Sequence, residues 1–187
     1  SGLGNVFLGE GAGDNISNGA STGYYNTALG EDALNANTNG ASNTAVGYNA
    51  LYNNPSGNNN TAIGLSALYN NTSYSGNTAN GSYALYSNTT GSTNTATGGH
   101  SLRNNTDGDQ NTANGYYALY SNTDGDYNNA IGYYALYKNT IGNYNIANGQ
   151  NSIKNNVDGD YNIAIGAWSL YDNISGNNNI AIGYNAG

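Results

Sequence analysis

The chain has 187 residues, and its composition excludes several classes of protein. Asn (40 residues), Gly (28) and Tyr (19) make up almost half of it, whereas charged residues account for 7%, against about 25% in ordinary globular domains. A net charge of −8 with three basic residues argues against a nucleic-acid partner, because phosphate binding needs clustered Lys and Arg. The lack of Cys excludes disulfides and thiol chemistry, and no apolar run is long enough to predict membrane insertion.

Residues 1–25 are interpreted as an atypical N-terminal unit. They contain the phrase GNVFLGEGAG, and the interval from Asn5 to Asn26 is longer than any unit of the repeat that follows. Gly9, Gly11 and Gly13 lack the Lys and the Ser or Thr of a phosphate-binding loop. We therefore interpret these glycines as turn residues.

Residues 26–187 form a regular array of 17-residue units without a gap. The units begin at Asn26, Asn43, Asn60, Asn77, Asn94, Asn111, Asn128, Asn145, Asn162 and Asn179. We number the positions of each unit as columns 1 to 17. Columns 1, 3 and 5 are always Asn, Ala and Gly, column 12 is always Asn, and column 15 is Gly in eight of nine units. Such regularity indicates a physical environment that repeats along the chain.

Column 9 supplies one large aliphatic residue in nearly every unit, and we expect these residues to stack as a ladder in the core. They are Leu34, Leu51, Leu68, Leu85, Leu102, Leu119, Leu136, Ile153 and Leu170. Column 4 is apolar in six units and can add to the core there, at Leu29, Val46, Ile63, Ile131, Ile165 and Ile182. Asn80, Thr97, Asn114 and Asn148 occupy it in the middle coils, so this face is either partly wet there or carries a buried polar ladder. The unvarying Ala of column 3 and the small residues of column 8 suit a surface that another chain approaches closely.

Columns 2–4 and columns 8–10 predict two short strands per unit, bounded by Gly and Asn. Each unit then forms one coil, with equivalent residues of successive coils about 4.8 Å apart. The predicted fold is all-β, a parallel β-solenoid or β-roll of about ten coils. We expect Asn side chains to hydrogen-bond between coils, and Gly in columns 5 and 15 to allow a positive φ or a close backbone approach. Pro55, which has no N–H, predicts that column 13 is a turn outside the ladder.

Tyrosine forms a second regular feature. Column 10 carries Tyr52, Tyr69, Tyr86, Tyr120, Tyr137 and Tyr171, and column 17 carries Tyr127, Tyr144 and Tyr161. If the column-9 residues face inward, column 10 should face outward along the same strand. These rings can stack on one another and protect the rod, or they can bind sugar rings or a partner.

Six of the eleven acidic residues occur in the phrase Asp-Gly-Asp, at columns 14 and 16. They are Asp107 and Asp109, Asp124 and Asp126, and Asp158 and Asp160. Oxygen-rich turns of this kind suit Ca²⁺, with Asn105, Asn122 and Asn156 as neighbours. The alternative is a set of solvated turns that keep the protein soluble. We expect no other cofactor.

His100, the only histidine, lies next to Ser101 and shortly before Asp107. These are the residue types of a hydrolytic triad. Column 7 is elsewhere Asp, Asn, Ser, Tyr or Trp, which is typical of a variable exterior position. We therefore predict that the chain is not an enzyme.

The units NTAIGLSALYNN, NNAIGYYALYKN and NIAIGYNAG resemble the head repeats of trimeric autotransporter adhesins, the YadA-like family, where an Ala-Ile-Gly motif recurs on a left-handed parallel β-roll. The 17-residue form, with Ala-Leu-Tyr and Asn-Thr after it, is similar to repeats of bacterial surface and phage tail-fibre-like proteins. The resemblance covers the whole chain. It implies a left-handed homotrimeric solenoid, and it carries over no functional residues.

These observations predict a structural segment of an extracellular fibre or adhesin shaft, on a bacterial surface or a phage tail, that spaces or presents adhesive elements. The expected partners are other copies of the chain and a glycan or protein of a host surface. One alternative is a filament subunit: both termini interrupt the repeat, and we expect the C-terminal coil to be continued by further residues or by the next molecule. Another alternative is a glycan- or ice-binding surface along the Tyr or Thr ladders. The Thr ladder of column 2 changes to Asn129, Ile146, Ile163 and Ile180, which weakens the ice-binding alternative.

Overall fold

The structure is a computed structural model that describes residues 4–17 and 22–187. Eleven three-residue strands lie within these ranges and form one parallel sheet in chain order. One short helix, α1 (Asp14–Ser17), lies between β1 and β2. The strands are β1 (Val6–Leu8), β2 (Thr27–Leu29), β3 (Thr44–Val46), β4 (Thr61–Ile63), β5 (Thr78–Asn80), β6 (Thr95–Thr97), β7 (Thr112–Asn114), β8 (Asn129–Ile131), β9 (Ile146–Asn148), β10 (Ile163–Ile165) and β11 (Ile180–Ile182).

The register of the sheet follows the repeat. From β2 onward, each strand pairs with the residues one unit away, as Ala28 does with Ala45. β1 pairs with β2 across the longer N-terminal unit, Val6 with Thr27. The predicted parallel β-solenoid, with one repeat unit per coil, is confirmed. Residues 1–3 and 18–21 of the predicted N-terminal unit lie outside the described residues. Within the described ranges, no helix is long and apolar enough to cross a membrane.

The column-9 residues form the centre of the solenoid, and the aliphatic residues of column 4 do not join them. All nine column-9 residues are buried, as is the Ala of column 3. From β2 onward, each strand is exposed or half-buried at its two ends and buried in the middle, so column 4 points outward with column 2. The apolar residues of column 4 are therefore not part of the core, and at its polar positions the structure shows the partly wet face and not a buried polar ladder. The prediction that columns 3 and 8 face another chain is wrong, because both columns are buried inside the coil, apart from Ala186 at its end. The inside of so narrow a coil holds one large side chain, with small residues beside it.

The second predicted strand, columns 8–10, is a turn instead. The backbone of column 7 and that of column 9 are both left-handed, with φ of +60° at Tyr117 and +51° at Leu119. Left-handed backbone costs an L-residue roughly 1–2 kcal/mol, and it is least expected for a β-branched residue such as Ile153, whose φ is +46°. Burial of a Leu side chain, worth about 1.5–3 kcal/mol, offsets this cost. The coils still pair here, since the Leu119 N–H donates to the Ala135 carbonyl at 3.0 Å.

Two asparagine ladders, in columns 1 and 12, meet at the backbone carbonyl of column 15. In the unit that begins at Asn43, the Nδ2 atoms of Asn43 and Asn54 donate to the Gly57 carbonyl at 2.8 and 3.0 Å. The backbone N–H of Asn43 donates to Oδ1 of Asn26 in the preceding coil at 2.9 Å. The expected asparagine stacking is confirmed, and it satisfies buried backbone groups that would otherwise destabilise the fold. In the next unit, the Tyr74 carbonyl replaces that of the glycine.

Glycine is favoured in columns 5 and 15 for two different reasons. Gly64 in column 5 has a φ of +130°, which other residues rarely adopt. Gly108 in column 15 needs no such φ, but a Cβ there would lie 2.5 Å from the carbonyl oxygen of Gly125 in the next coil. Both predicted reasons, positive φ and close backbone approach, are confirmed.

Column 13 lies in a bend outside the strands, as Pro55 predicts, but it belongs to the hydrogen-bonding between coils, contrary to the rest of that prediction. The N–H of Thr106, for example, donates to the Thr123 carbonyl at 3.0 Å. Pro55 removes only the donor half of this pattern. Its carbonyl accepts the N–H groups of Thr38 and Asn39 at 3.0 and 2.9 Å, so the proline fits without breaking the stack on that side.

Candidate functional site

The outer face of the sheet, formed by columns 2 and 4, carries rows of exposed aliphatic side chains. Column 4 is apolar toward both ends of the solenoid and polar at Asn80, Thr97 and Asn114, whereas column 2 is Thr from Thr27 to Thr112 and Ile in its last three units. Exposed apolar patches of this kind are found at protein–protein interfaces. Residues of this face that are at least 40% exposed include Val6, Leu8, Leu29, Ile63, Ile131, Ile146, Ile165, Ile180 and Ile182.

The column-10 tyrosines are half-buried on another side of the coil, where they stack on one another. The ring centroids of Tyr52, Tyr69 and Tyr86 are 5.2 Å apart in succession, with nearly parallel planes. Tyr120 and Tyr137 continue the pattern at 5.3 Å. Of the two roles that the sequence leaves open for these rings, the geometry directly shows mutual stacking, which is worth about 0.5–1.5 kcal/mol per pair beyond burial.

Column 17 carries a separate stack. Tyr127, Tyr144 and Tyr161 are exposed, with ring centroids 4.7 and 5.0 Å apart and planes within 4° of parallel. Partial loss of hydration between the neighbouring rings raises the pKa of Tyr144, with repulsion from Tyr127 and Tyr161 adding to the effect. The Tyr144 phenol therefore stays neutral at physiological pH.

Two basic residues take ring positions in column 10. The Arg103 guanidinium lies 5.6 Å from the ring centroid of Tyr86 and 6.0 Å from that of Tyr120, and its Nη1 donates to the Tyr120 hydroxyl at 3.0 Å. The Lys154 ammonium lies 4.9 Å from the Tyr134 centroid and 5.6 Å from that of Tyr171. Cation–π attraction thus holds both charges within the ladder.

His100 is a member of a ring stack in column 7. Its imidazole lies between the rings of Tyr83 and Tyr117, at centroid distances of 5.3 and 4.9 Å, and it is half-buried instead of freely exposed. The Ser101 hydroxyl donates to the Gly98 carbonyl at 2.8 Å, whereas Asp107 accepts from threonine hydroxyls. In the described part of the chain, no hydrogen bond connects the side chains of His100, Ser101 and Asp107.

The burial of His100 should make stability depend on pH. Loss of hydration lowers its pKa below the usual value, and the Arg103 charge lowers it further. The unfolded chain then binds the proton more tightly than the folded one, so stability is lost as pH falls below about 6.5. Between about pH 7.5 and pH 5.5 we expect the melting temperature of the wild type to fall more than that of His100→Tyr. This variant keeps a ring in the stack and leaves every carboxylate in place. Equal pH slopes for the two proteins would contradict the prediction.

The column-16 aspartates have a structural role that the sequence does not reveal. An Oδ1 atom of each accepts a backbone N–H from column 16 of the preceding coil: Asp109 from Ser92 at 2.7 Å, Asp126 from Asp109 at 2.7 Å, and Asp160 from Asn143 at 2.6 Å. Asn143 accepts from Asp126 in the same way at 2.8 Å. An amide oxygen therefore serves as well as a carboxylate at this position.

The column-14 aspartates lie at the surface. Asp107, Asp124 and Asp158 are exposed, and the Thr123 hydroxyl donates to Asp124 at 3.0 Å. Among residues 4–17 and 22–187, no three acidic or histidine side chains converge as a metal-ligand group. Amide and carbonyl oxygens also bind Ca²⁺, and the calcium site stays a prediction.

Millimolar Ca²⁺ is expected to raise the melting temperature of the wild type, because it bridges carboxylates that otherwise repel one another. Changing Asp107, Asp109, Asp124 and Asp126 together to Asn should abolish the increase. Asn143 shows that Asn preserves the column-16 hydrogen bond, so the variant tests the charges without removing the ladder. An unchanged wild-type melting curve would identify these residues as solvated turns, and Mg²⁺ serves as the control for a general effect of salt.

A recess of about 590 Å³ lies beside the ring ladders, at the unit that begins with Asn145. In this unit both ladders lose their ring, because column 7 holds Asn151 and column 10 holds Lys154. Its lining includes Tyr133, Tyr134, Lys138, Asn151, Lys154 and Trp168. This recess is not among the sites predicted from the sequence. The simultaneous break of two aromatic columns is the signal that could have revealed it.

Comparison of the chain with protein-family models, curated proteins and solved structures finds no match.

Proposed function

We propose that this chain is a non-enzymatic structural segment of an extracellular fibre. It forms a rigid rod in which three copies associate through the outer face of the sheet and present surface elements along their length. The observation that carries the proposal is the combination of a closed internal ladder with a continuous outer face on which column 4 presents exposed aliphatic side chains toward both ends.

Rigidity follows from the repetition of the contacts. Coils are joined to their neighbours by the sheet, the Leu ladder, two Asn ladders and stacked rings. The stability of such a solenoid is approximately a sum of contacts between neighbouring coils. Because each coil boundary repeats the same kinds of contact, we expect no boundary to act as a hinge. A rigid spacer with an ordered surface is what a fibre or adhesin shaft requires.

Association with other copies follows from the form of the exposed face. Its outward side chains recur with every coil, at the spacing of neighbouring strands, from β1 to β11. A partner that matches this surface over its whole length must repeat with the same period, and a second copy of the chain does so. The number of three copies and the extracellular location rest on the resemblance to trimeric adhesin heads and fibre repeats.

Sedimentation equilibrium tests the proposal, with an expected mass about three times the chain mass of 19.3 kDa. Ile165→Lys, which places a charge on the sheet face where Ile165 is 42% exposed, should shift the protein toward monomers. Val157→Lys is the matched control, because Val157 is a similarly exposed aliphatic residue that lies outside the sheet. A wild-type protein that remains a folded monomer would overturn the trimeric rod. Micrometre-long fibres would instead favour the end-to-end filament.

A further inference from the structure

The recess at Asn151 and Lys154 is a gap of one ring in column 7, which carries rings from Tyr83 to Tyr134 and again at Trp168. Before the gap, the ring centroids of Tyr117 and Tyr134 are 5.2 Å apart, and after it those of Trp168 and Tyr171 are 4.8 Å apart. Tyr134 and Trp168 lie two coils apart, which is about 9.6 Å at the spacing of neighbouring strands. The Lys154 ammonium covers the Tyr134 ring at 4.9 Å, so a ring that entered the gap would lie against Trp168 with the ammonium beside it.

The gap contains a buried polar group without a partner. Asn151 is 4% exposed, and its Oδ1 atom accepts no hydrogen bond within the described part of the chain. The equivalent residues of the neighbouring units, Tyr134 and Trp168, place rings in this column instead of an amide. A buried amide oxygen that lacks a donor destabilises the fold, and a hydroxyl that enters the recess would supply the missing donor.

The recess also concentrates positive charge in an acidic protein. Lys138 and Lys154 both line it, and they are two of the three basic residues in a chain with a net charge of −8. Neither forms an ion pair with a carboxylate of the described residues. Asp172 lies with Lys138 in an adjoining recess of about 300 Å³ and accepts a hydrogen bond from Asn155 Nδ2 at 3.4 Å. Lys154, held between the rings of Tyr134 and Tyr171, is therefore the better placed charge for an anionic ligand.

We propose that this recess binds an acidic sugar residue of a glycan, with the sugar ring against Trp168 and its carboxylate or sulfate paired with Lys154. Aromatic faces stack on the C–H face of a sugar, and charge-assisted hydrogen bonds to Lys fix an anionic substituent. The amides of Gln150, Asn151 and Asn155 provide donors and acceptors for hydroxyl groups. This polar lining favours a sugar over an aromatic acid, which would leave those amides unpaired. The recess lies away from columns 2 and 4, so binding does not depend on how copies associate.

Trp168 is the only tryptophan of the chain, and its fluorescence therefore reports on this recess alone. The probes are a hexamer of galacturonic acid, a heparin-derived hexasaccharide and, as the neutral control, maltohexaose. We expect at least one acidic probe to change the fluorescence in a saturable way and maltohexaose to have no effect. A response to galacturonate indicates carboxylate recognition, and a response to heparin alone indicates sulfate recognition. Binding should weaken as the salt concentration rises.

Three variants test whether binding depends on this recess or only on the presence of basic residues in the protein. Lys154→Gln should weaken binding about tenfold, the effect of losing one charge-assisted hydrogen bond. Asn151→Tyr, which restores the ring that other units carry in column 7, should close the gap and abolish binding. The backbone φ of Asn151, +55°, is close to the +58° of Tyr134, so the fold accepts Tyr at position 151. Arg103→Gln, which removes a stacked cation outside the recess, should bind like the wild type.

The proposal is overturned if no acidic probe changes the Trp168 fluorescence, or if maltohexaose binds as well as the acidic probes. Unchanged affinity in Lys154→Gln and Asn151→Tyr would overturn it as well. Circular dichroism of each variant establishes that it is folded, and a failure of the trimeric rod would leave these binding results unaffected.

Discussion

Leu119→Asp is expected to leave the chain unfolded. Leu119 is fully buried in the middle of the column-9 ladder, between Leu102 and Leu136. Loss of a buried Leu side chain alone costs about 2–5 kcal/mol. A carboxylate in this place adds several kcal/mol, because it lies far from water and has no charge partner. Against a total stability of about 5–15 kcal/mol, the sum is large enough to abolish folding.

Circular dichroism and sedimentation velocity measure the outcome of the Leu119→Asp change. Val157→Asp is the matched control, since it places the same charge on an exposed aliphatic residue that lies outside the sheet. We expect the control to retain the wild-type spectrum and melting temperature within a few degrees. A Leu119→Asp protein with a native spectrum and a cooperative melting transition would show that the ladder does not carry the fold.

Asn111→Ala is expected to lower the free energy of unfolding by about 3 kcal/mol, given about 1–3 kcal/mol for each buried polar group left without a partner. The Asn111 side chain accepts the backbone N–H of Asn128 at 2.9 Å and donates to the Gly125 carbonyl at 2.7 Å. Removing it leaves that N–H without its acceptor in the dry interior. The Gly125 carbonyl keeps one donor, Asn122 Nδ2, at 2.9 Å, so the larger loss is at Asn128.

Urea denaturation measures this loss of stability. Asn39→Ala, at an exposed asparagine outside the sheet, is the control and should change the free energy of unfolding by less than about 0.5 kcal/mol. Asn111→Asp should be more damaging than Asn111→Ala, because it retains the acceptor but places a charge in the interior. If Asn111→Ala and Asn39→Ala are equally stable, the asparagine ladder is not the reason that column 1 never varies.

Asn, Gly and Leu at fixed columns were sufficient to predict the solenoid from the sequence. A residue such as Asn111 or Leu119 can be the same in every unit only if each unit meets its neighbour in the same way, and stacking at the strand spacing achieves this. The Asn ladders and the reasons for Gly in columns 5 and 15 followed from the chemistry of those residues. For the candidate site, the sequence identified the stacked tyrosines of column 10 but not the recess beside them.

The sequence by itself thus determined the period, the parallel stacking and the Leu ladder, while the tertiary structure decided which way each neighbouring residue faces. In a strand of three residues, the alternation of side chains between the two faces does not show from the sequence which residue points inward. Ala62 and Ile63 were therefore equally good candidates for the interior, and Ala62 is the buried one because the narrow coil has room for a small side chain there. Left-handed backbone at Leu119 is a second such decision, because it is favoured by the burial it permits and not by the local preference of leucine. The recess likewise exists only because folding stacks Asn151 and Lys154 between rings that belong to the preceding and the following units.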